Sequence, residues 1–329
     1  TATPATPTDT TSARNTPGAA TISLTVDGQT REFIVYVGRS VHATAAAPVV
    51  FMLHGTSGTG DEFFQSSQWR EKADTVGLIA VFPTALTYCS REDENGDGDM
   101  VDAGEQKVFT KWAHGKLGGP ELPVCTAQEI ATLPAALRAL VTHPLIDDTR
   151  FIDQVITWLK ANRRIEEKRI YASGFSAGGA MVQRLLVERN SVFAALHAHA
   201  GGLTVPPVPS RAISFVYSLG SQDDRYVTPF GIPAFPIDAQ TMAVPAFKSM
   251  ATTRQLSVLQ LADQYTYTEQ IVRGVEVGRW AYRTSLVGAS NSYEFVLFDG
   301  VTHIYPNGIN SRLTMADLIW PFFATQRLP

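Results

Sequence analysis

The sequence predicts an α/β fold built on a mostly parallel central sheet, and three features of the chain lead there. Short, almost continuous apolar runs recur along it, helical patterns lie between several of them, and no internal repeat or Pro/Gly/Ser-rich linker divides residues 20–329. Strands that are apolar on both faces need helices over both faces, which is the arrangement of a parallel sheet.

Taken in order, the first nineteen residues, TATPATPTDTTSARNTPGA, contain no Leu, Ile, Val, Met or aromatic residue. Residues 1–19 are therefore expected to form a disordered Thr/Pro/Ala linker, with residues 20–329 as one folded domain. Such a segment suits the stretch behind a cleaved signal peptide or a tether to another module, which points to a secreted or periplasmic protein. Next, the runs 21–26 and 32–37 flank Asp27-Gly28-Gln29-Thr30, a hairpin signal expected at the sheet edge. Further strands are expected at 49–53, 78–82, 169–172, 193–197, 213–219 and 293–298. Phe151, Ile152, Val155, Ile156 and Leu159 fall on one helical face behind Asp148, the expected N-cap of a helix over 149–162. Ala180, Met181, Leu185 and Leu186 mark a second helix.

Composition excludes several classes. With 44% hydrophobic and 18% charged residues and a net charge of −4, the chain is neither disordered, collagen-like nor a coiled coil. Its 27 basic residues are scattered among 31 acidic ones, so no surface for nucleic acid is expected. The apolar run 48–53 falls far short of the roughly 20 residues that span a bilayer. Cys89 and Cys125 are the two cysteines. They are either buried thiols or a disulfide, and the polar, turn-rich segment between them favours the staple, which would imply an oxidising compartment.

The most informative stretch is Gly174-Phe175-Ser176-Ala177-Gly178, lying between an expected strand and an expected helix. A serine in a tight strand-to-helix turn is exposed for nucleophilic attack, small residues two before and two after it let neighbouring backbone pass, and the helix start supplies the Ala177 N–H to an oxyanion. A serine needs a base, and the base needs an orienting carboxylate, in the chain order Ser, acid, His. Among seven histidines, His303 alone follows a late strand in a loop. His197 and His199 alternate along a strand and read as satisfied core imidazoles. For the acid, Asp223 is preferred over its neighbour Asp224, either of which could instead hold Arg225. His54-Gly55-Thr56 follows an early strand, so Thr56 is the second candidate oxyanion donor, with His54 in a structural role.

His54-Gly55, the segment 147–152, the elbow 174–179, Gly220 with Asp223, and Thr302-His303-Ile304-Tyr305-Pro306 together resemble one group of α/β-hydrolases. These are the secreted polyhydroxybutyrate-depolymerase-like esterases, which include feruloyl and acetylxylan esterases. The resemblance implies an α/β-hydrolase fold and a Ser176/Asp223/His303 triad with Thr56 and Ala177 as oxyanion donors. It also implies an ester substrate, which could be polymeric, and no cofactor for catalysis. Thr149 departs from the family's pattern, as does Thr110-Lys111-Trp112-Ala113-His114-Gly115, so the substrate stays open. A serine peptidase on the same fold and a non-catalytic binding protein are the alternatives.

Two loops carry further expectations. Asp93, Asn95 and Asp97 at alternate positions before Gly98 match the start of an oxygen-ligand Ca²⁺ loop, with Glu105 one residue late for its end. The loop is a candidate for a structural Ca²⁺; the alternative is a solvated acidic loop held by a Cys89–Cys125 bond. Residues 228–237 are too proline-rich for a helix or central strand. Phe230 and Phe235 are therefore expected to wall a substrate cleft, together with Trp112 and Tyr305, unless the two phenylalanines simply anchor the loop to the core.

Overall fold

The structure is a computed structural model that describes residues 14–93, 99–100, 102, 104–209 and 211–329. Twelve strands run in the order β1 (Gly18–Val26), β2 (Gln29–Val37), β3 (Ala47–Leu53), β4 (Ile79–Pro83), β5 (Thr87–Arg91), β6 (Gln106–Thr110), β7 (Ile165–Phe175), β8 (Ala195–His199), β9 (Ser214–Gly220), β10 (Tyr265–Val272), β11 (Val275–Tyr282) and β12 (Tyr293–Phe298). Ten of them form one sheet ordered β1-β2-β4-β3-β7-β8-β9-β12-β11-β10, and β5 pairs with β6 apart from it. The centre, from β4 to β12, is parallel. An antiparallel hairpin closes each edge.

The expected first hairpin is present. Asp27 and Gly28 take φ of 48° and 79°, the paired positive values that let a two-residue turn follow the twist of its strands. Alternation sets the two cores. Val49, Phe51 and Leu53 of β3 pack with the helices Asp148–Asn162 and Ala177–Glu188, while Val50 and Met52 face Trp69, Ala73 and the C-terminal helix Met315–Ala324. Each helix thus covers one apolar face of the sheet.

Three expectations change. The first element begins earlier than residue 20. Asn15 is fully buried, its amide nitrogen donating to the carbonyls of Ala45 and Arg164 and its oxygen accepting from Arg164 N–H, and β1 starts at Gly18. Asp147, not Asp148, caps the helix, accepting from Thr149 N–H at 3.0 Å. Asp148 is drawn inward to Arg31. The hairpin β10–β11, with Arg273 and Gly274 at its turn, was not expected.

Cys89 and Cys125 form a disulfide joining β5 to the segment that leads into the helix Ala127–Thr132. Among the described residues no helix is long and apolar enough to cross a membrane.

Candidate active site

Ser176 stands where β7 turns into the helix Ala177–Glu188, with φ of 52° and ψ of −120°. Positive φ is unfavourable for a residue with a side chain, and here the packing around the turn imposes it. A Cβ on Gly174 would lie 2.3 Å from the Gly178 carbonyl oxygen, and one on Gly178 would lie 2.2 Å from that of Leu53. Both positions must be glycine for β3, β7 and the helix to meet. Ser176 N–H donates to the His199 carbonyl at 2.9 Å, tying the elbow to β8.

The loop after β12 brings His303 over this serine. Nε2 of His303 lies 3.0 Å from Ser176 Oγ, and Nδ1 lies 2.8 Å from Asp223 Oδ2. Asp223 is fully buried just beyond β9, and its other carboxylate oxygen accepts from Arg225 N–H. Asp224 is exposed. Because β9 and β12 are parallel neighbours, both loops open at the same sheet end as the elbow. Phe175 packs against the His303 ring at 5.0 Å between centroids.

The loop after β3 closes the other side. Gly55, Thr56 and Ser57 line a cleft of about 360 Å³ with Phe175, Ser176 and His303. Ala177 begins the helix, and the first helical bond from Ala180 N–H to Ser176 O leaves the Ala177 N–H outside the ladder. His54 is buried beneath this loop, with Nδ1 against the Gly55 carbonyl and Nε2 accepting from Ala85 N–H. Burial lowers its pKa to about 4, so it is a neutral structural group. His197 and His199 are also fully buried, with both ring nitrogens of each hydrogen-bonded.

The expected aromatic walls lie elsewhere. Trp112 is fully buried and donates from Nε1 to the His54 carbonyl, so it braces the end of β3 instead of facing substrate. Phe235 is buried against Phe230 and Phe247, and Phe247 against Phe295, which makes the loop 228–237 anchored to the core. Tyr305 is buried and accepts from Trp69 Nε1–H. What lines the cleft is instead Phe109 and Lys107 of β6, with Lys111, Glu92 and Arg225. An apolar residue within a short polar strand gave no signal of that role.

In the acidic loop, Asn95 and Asp97 lie outside the described residues. Glu105 is buried and accepts from Asp102 N–H, and its carboxylate comes within 4.8 Å of those of Asp99 and Asp102. Asp93 is not part of that group.

The combination of a six-strand parallel centre, a strained serine between β7 and its helix, and a Ser, Asp, His order of contacts identifies the fold. The chain has the α/β-hydrolase fold. The sequence model of the Prolyl oligopeptidase family matches residues 147–206, which include the elbow. The chain is 26% identical over 238 residues to a protein of Nocardia uniformis subsp. tsuyamanensis named as the esterase NocK, covering 70% of this chain and 56% of that one. It is 26% identical over 185 residues to a protein of Aspergillus terreus named as feruloyl esterase C, covering 54% of this chain and 57% of that one. The chain thus spans just over half the length of these relatives. The acetyl xylan esterase of Aspergillus awamori superposes with a TM-score of 0.52 at 13% identity, over 92% of this chain and 99% of that one, which speaks for the fold alone.

Proposed function

We propose that this α/β-hydrolase is a secreted serine esterase acting through an acyl-enzyme on Ser176. The observation that carries the reading is the placement of His303, in hydrogen-bond reach of both Ser176 Oγ and the buried Asp223 carboxylate, at the edge of an open cleft. Ser176 Oγ attacks the ester carbonyl and its proton passes to His303 Nε2, while Asp223 balances the imidazolium charge through Nδ1. The N–H groups of Thr56 and Ala177 face the developing oxyanion. Collapse expels the alcohol, which takes the proton from His303, and water then hydrolyses the acyl-enzyme by the same path. Among the described residues, Phe109 and Phe175 are the aromatic lining of the cleft, which suits bulky aromatic acyl groups such as feruloyl-type esters, or the ester links of a hydroxyalkanoate polyester. The disulfide supports an extracellular setting.

The match to the Prolyl oligopeptidase family favours a peptidase as the second reading. Turnover of p-nitrophenyl esters against peptide anilides separates the two. Ser176→Ala and His303→Ala should each lose on the order of 10³-fold or more in kcat. Asp223→Asn should slow ester hydrolysis by orders of magnitude and Asp224→Asn should not. Near wild-type turnover by Ser176→Ala would overturn the reading.

A further inference from the structure

Behind the candidate triad runs a buried line of polar side chains that the acyl-transfer chemistry does not touch. His199 Nε2 lies 2.8 Å from the carbonyl oxygen of Ile304, the residue that follows His303. His199 Nδ1 lies 2.8 Å from Ser218 Oγ, which in turn lies 2.9 Å from His197 Nε2. His197 Nδ1 lies 2.9 Å from Ser173 Oγ, which lies 3.3 Å from the Tyr305 hydroxyl, and that hydroxyl accepts from Trp69 Nε1–H at 2.9 Å. Trp69, Ser173, His197, His199 and Ser218 are fully buried and Tyr305 nearly so.

The acceptor at one end fixes every proton in the line. A carbonyl cannot donate, so His199 carries its hydrogen on Nε2 and gives it to Ile304. Burial keeps the His199 imidazole neutral, down to about 3, so its Nδ1 accepts, and the Ser218 hydroxyl must donate to it. Ser218 has then used its hydrogen and accepts from His197 Nε2–H. His197, held neutral by burial as well, accepts at Nδ1 from Ser173, and Ser173 accepts from Tyr305. Each side chain between the Trp69 indole, which only donates, and the Ile304 carbonyl, which only accepts, donates once and accepts once. A buried polar line in which every group is satisfied in one sense has one low-energy arrangement, which rigidifies what it ends on.

Its end is the loop that carries the base. His199 also accepts the Ser176 N–H at its own carbonyl, so one residue hydrogen-bonds the nucleophile's backbone on one side and the base's loop on the other. We propose that His199 is a positioning residue which, backed by Ser218, His197, Ser173 and Tyr305, sets the distance between Ser176 Oγ and His303 Nε2. The inference rests on the esterase reading of Ser176 and His303. The imidazole of His199 takes no proton from substrate; its effect passes through the Ile304 carbonyl.

The test compares His199→Leu, which removes both ring partners, with His199→Gln, whose amide N–H can still reach the Ile304 carbonyl. Each purified variant is followed by thermal melting, by kcat and KM on p-nitrophenyl acetate, and by its rate of labelling with a fluorophosphonate. A misplaced base costs rate more than binding, so His199→Leu should lose about 10- to 100-fold in kcat and in labelling rate with KM changed less than about 3-fold. His199→Gln should recover to within about 5-fold of the native kcat. A folded His199→Leu with native kcat and labelling rate overturns the proposal, as does a folded His199→Gln as slow as His199→Leu. If His199→Leu does not fold, Ser218→Ala, which cuts the line one link back, should lower kcat by about 3- to 10-fold at unchanged KM; native kcat there overturns it equally. Failure of the native protein itself to be labelled overturns the esterase reading and this inference with it, whereas a labelled native protein with unaffected variants overturns the inference alone.

Discussion

Arg31 and Asp148 lie 117 residues apart in the chain and form a fully buried ion pair, with Arg31 Nη2 2.6 Å from Asp148 Oδ1. The second Asp148 oxygen accepts from Ala113 N–H at 2.7 Å, and the guanidinium lies 4.0 Å over the Phe151 ring. The pair therefore ties β2 to the start of the helix Asp148–Asn162 and to the backbone beside Trp112. A buried pair gains little over a well-packed apolar pair, but removing one partner strands the other charge. Arg31→Met should cost about 3–5 kcal/mol of unfolding free energy in urea titration. Adding Asp148→Leu should restore part of it, the Ala113 N–H remaining unpaired at a cost of about 1–3 kcal/mol. Equal stability of Arg31→Met and the native chain would mean that Asp148 is not held as a charge.

Burial also makes stability pH-dependent. It lowers the pKa of His54 and His114 to about 4 and of His199 to about 3. The unfolded chain protonates these groups near 6.5, so between pH 6.5 and about 4 it binds more protons than the folded chain. Stability is therefore complete above about 6.5 and falls as pH drops through that window, by up to about 1.4 kcal/mol per pH unit for each histidine. Urea midpoints should be clearly lower at pH 5 than at pH 7.5, and His114→Gln should weaken the dependence. Identical midpoints at the two pH values would contradict neutral burial.

The disulfide closes a loop with a sequence separation of 36, which contains the whole β5–β6 hairpin except the first residues of β5. Chain-entropy arguments give such a closure about 4 kcal/mol. Replacing Cys89 and Cys125 together by Ala should lower the melting temperature, and β6 carries Phe109 and Lys107 of the cleft, so KM should rise as well. Unchanged melting after reduction would show the loop to be held by its other contacts, among them the Arg91–Glu129 ion pair.

How far the sequence could be read depended on whether a local signal or a tertiary partner decided the matter. The strand Tyr293–Phe298 is apolar except for Glu294 and buried along its whole length, and its limits were legible to the residue. The β10 strand, Tyr265–Val272, is mostly exposed and polar, so neither periodicity nor apolarity marked it; pairing with β11 makes it a strand. Asp147 and Asp148 have the same intrinsic capping preference, and Arg31, far away in sequence, selects which one turns inward. The meeting of Ser176, Asp223 and His303 was legible because chain order and loop context constrain where they lie. Side-chain direction was not: Phe230, Phe235 and Tyr305 lie near those loops in sequence and Trp112 follows β6, yet apolar burial and the hydrogen bonds of Trp112 and Tyr305 turn them away from the cleft.

That difference separates Phe235 from Phe109 in an experiment. Phe235 is 3% exposed, with its ring centroid 4.6 Å from that of Phe247, whereas Phe109 is half-buried on β6 and lines the cleft. Truncating a buried phenylalanine costs about 3–5 kcal/mol through lost burial and the cavity left behind. Phe235→Ala should therefore lower the melting temperature and slow aromatic and acetyl esters alike. Phe109→Ala should leave melting nearly native, raise KM for a feruloyl-type ester by about 10-fold and spare p-nitrophenyl acetate, since losing one aromatic contact to a bound ring removes about 1–2 kcal/mol of binding. Lys111, whose ammonium lies 4.8 Å over the Phe109 ring, would lose that contact too, so Lys111→Met serves as the control that keeps the ring and removes the charge. Equal KM changes for the two esters in Phe109→Ala would place the aromatic group of the substrate elsewhere in the cleft.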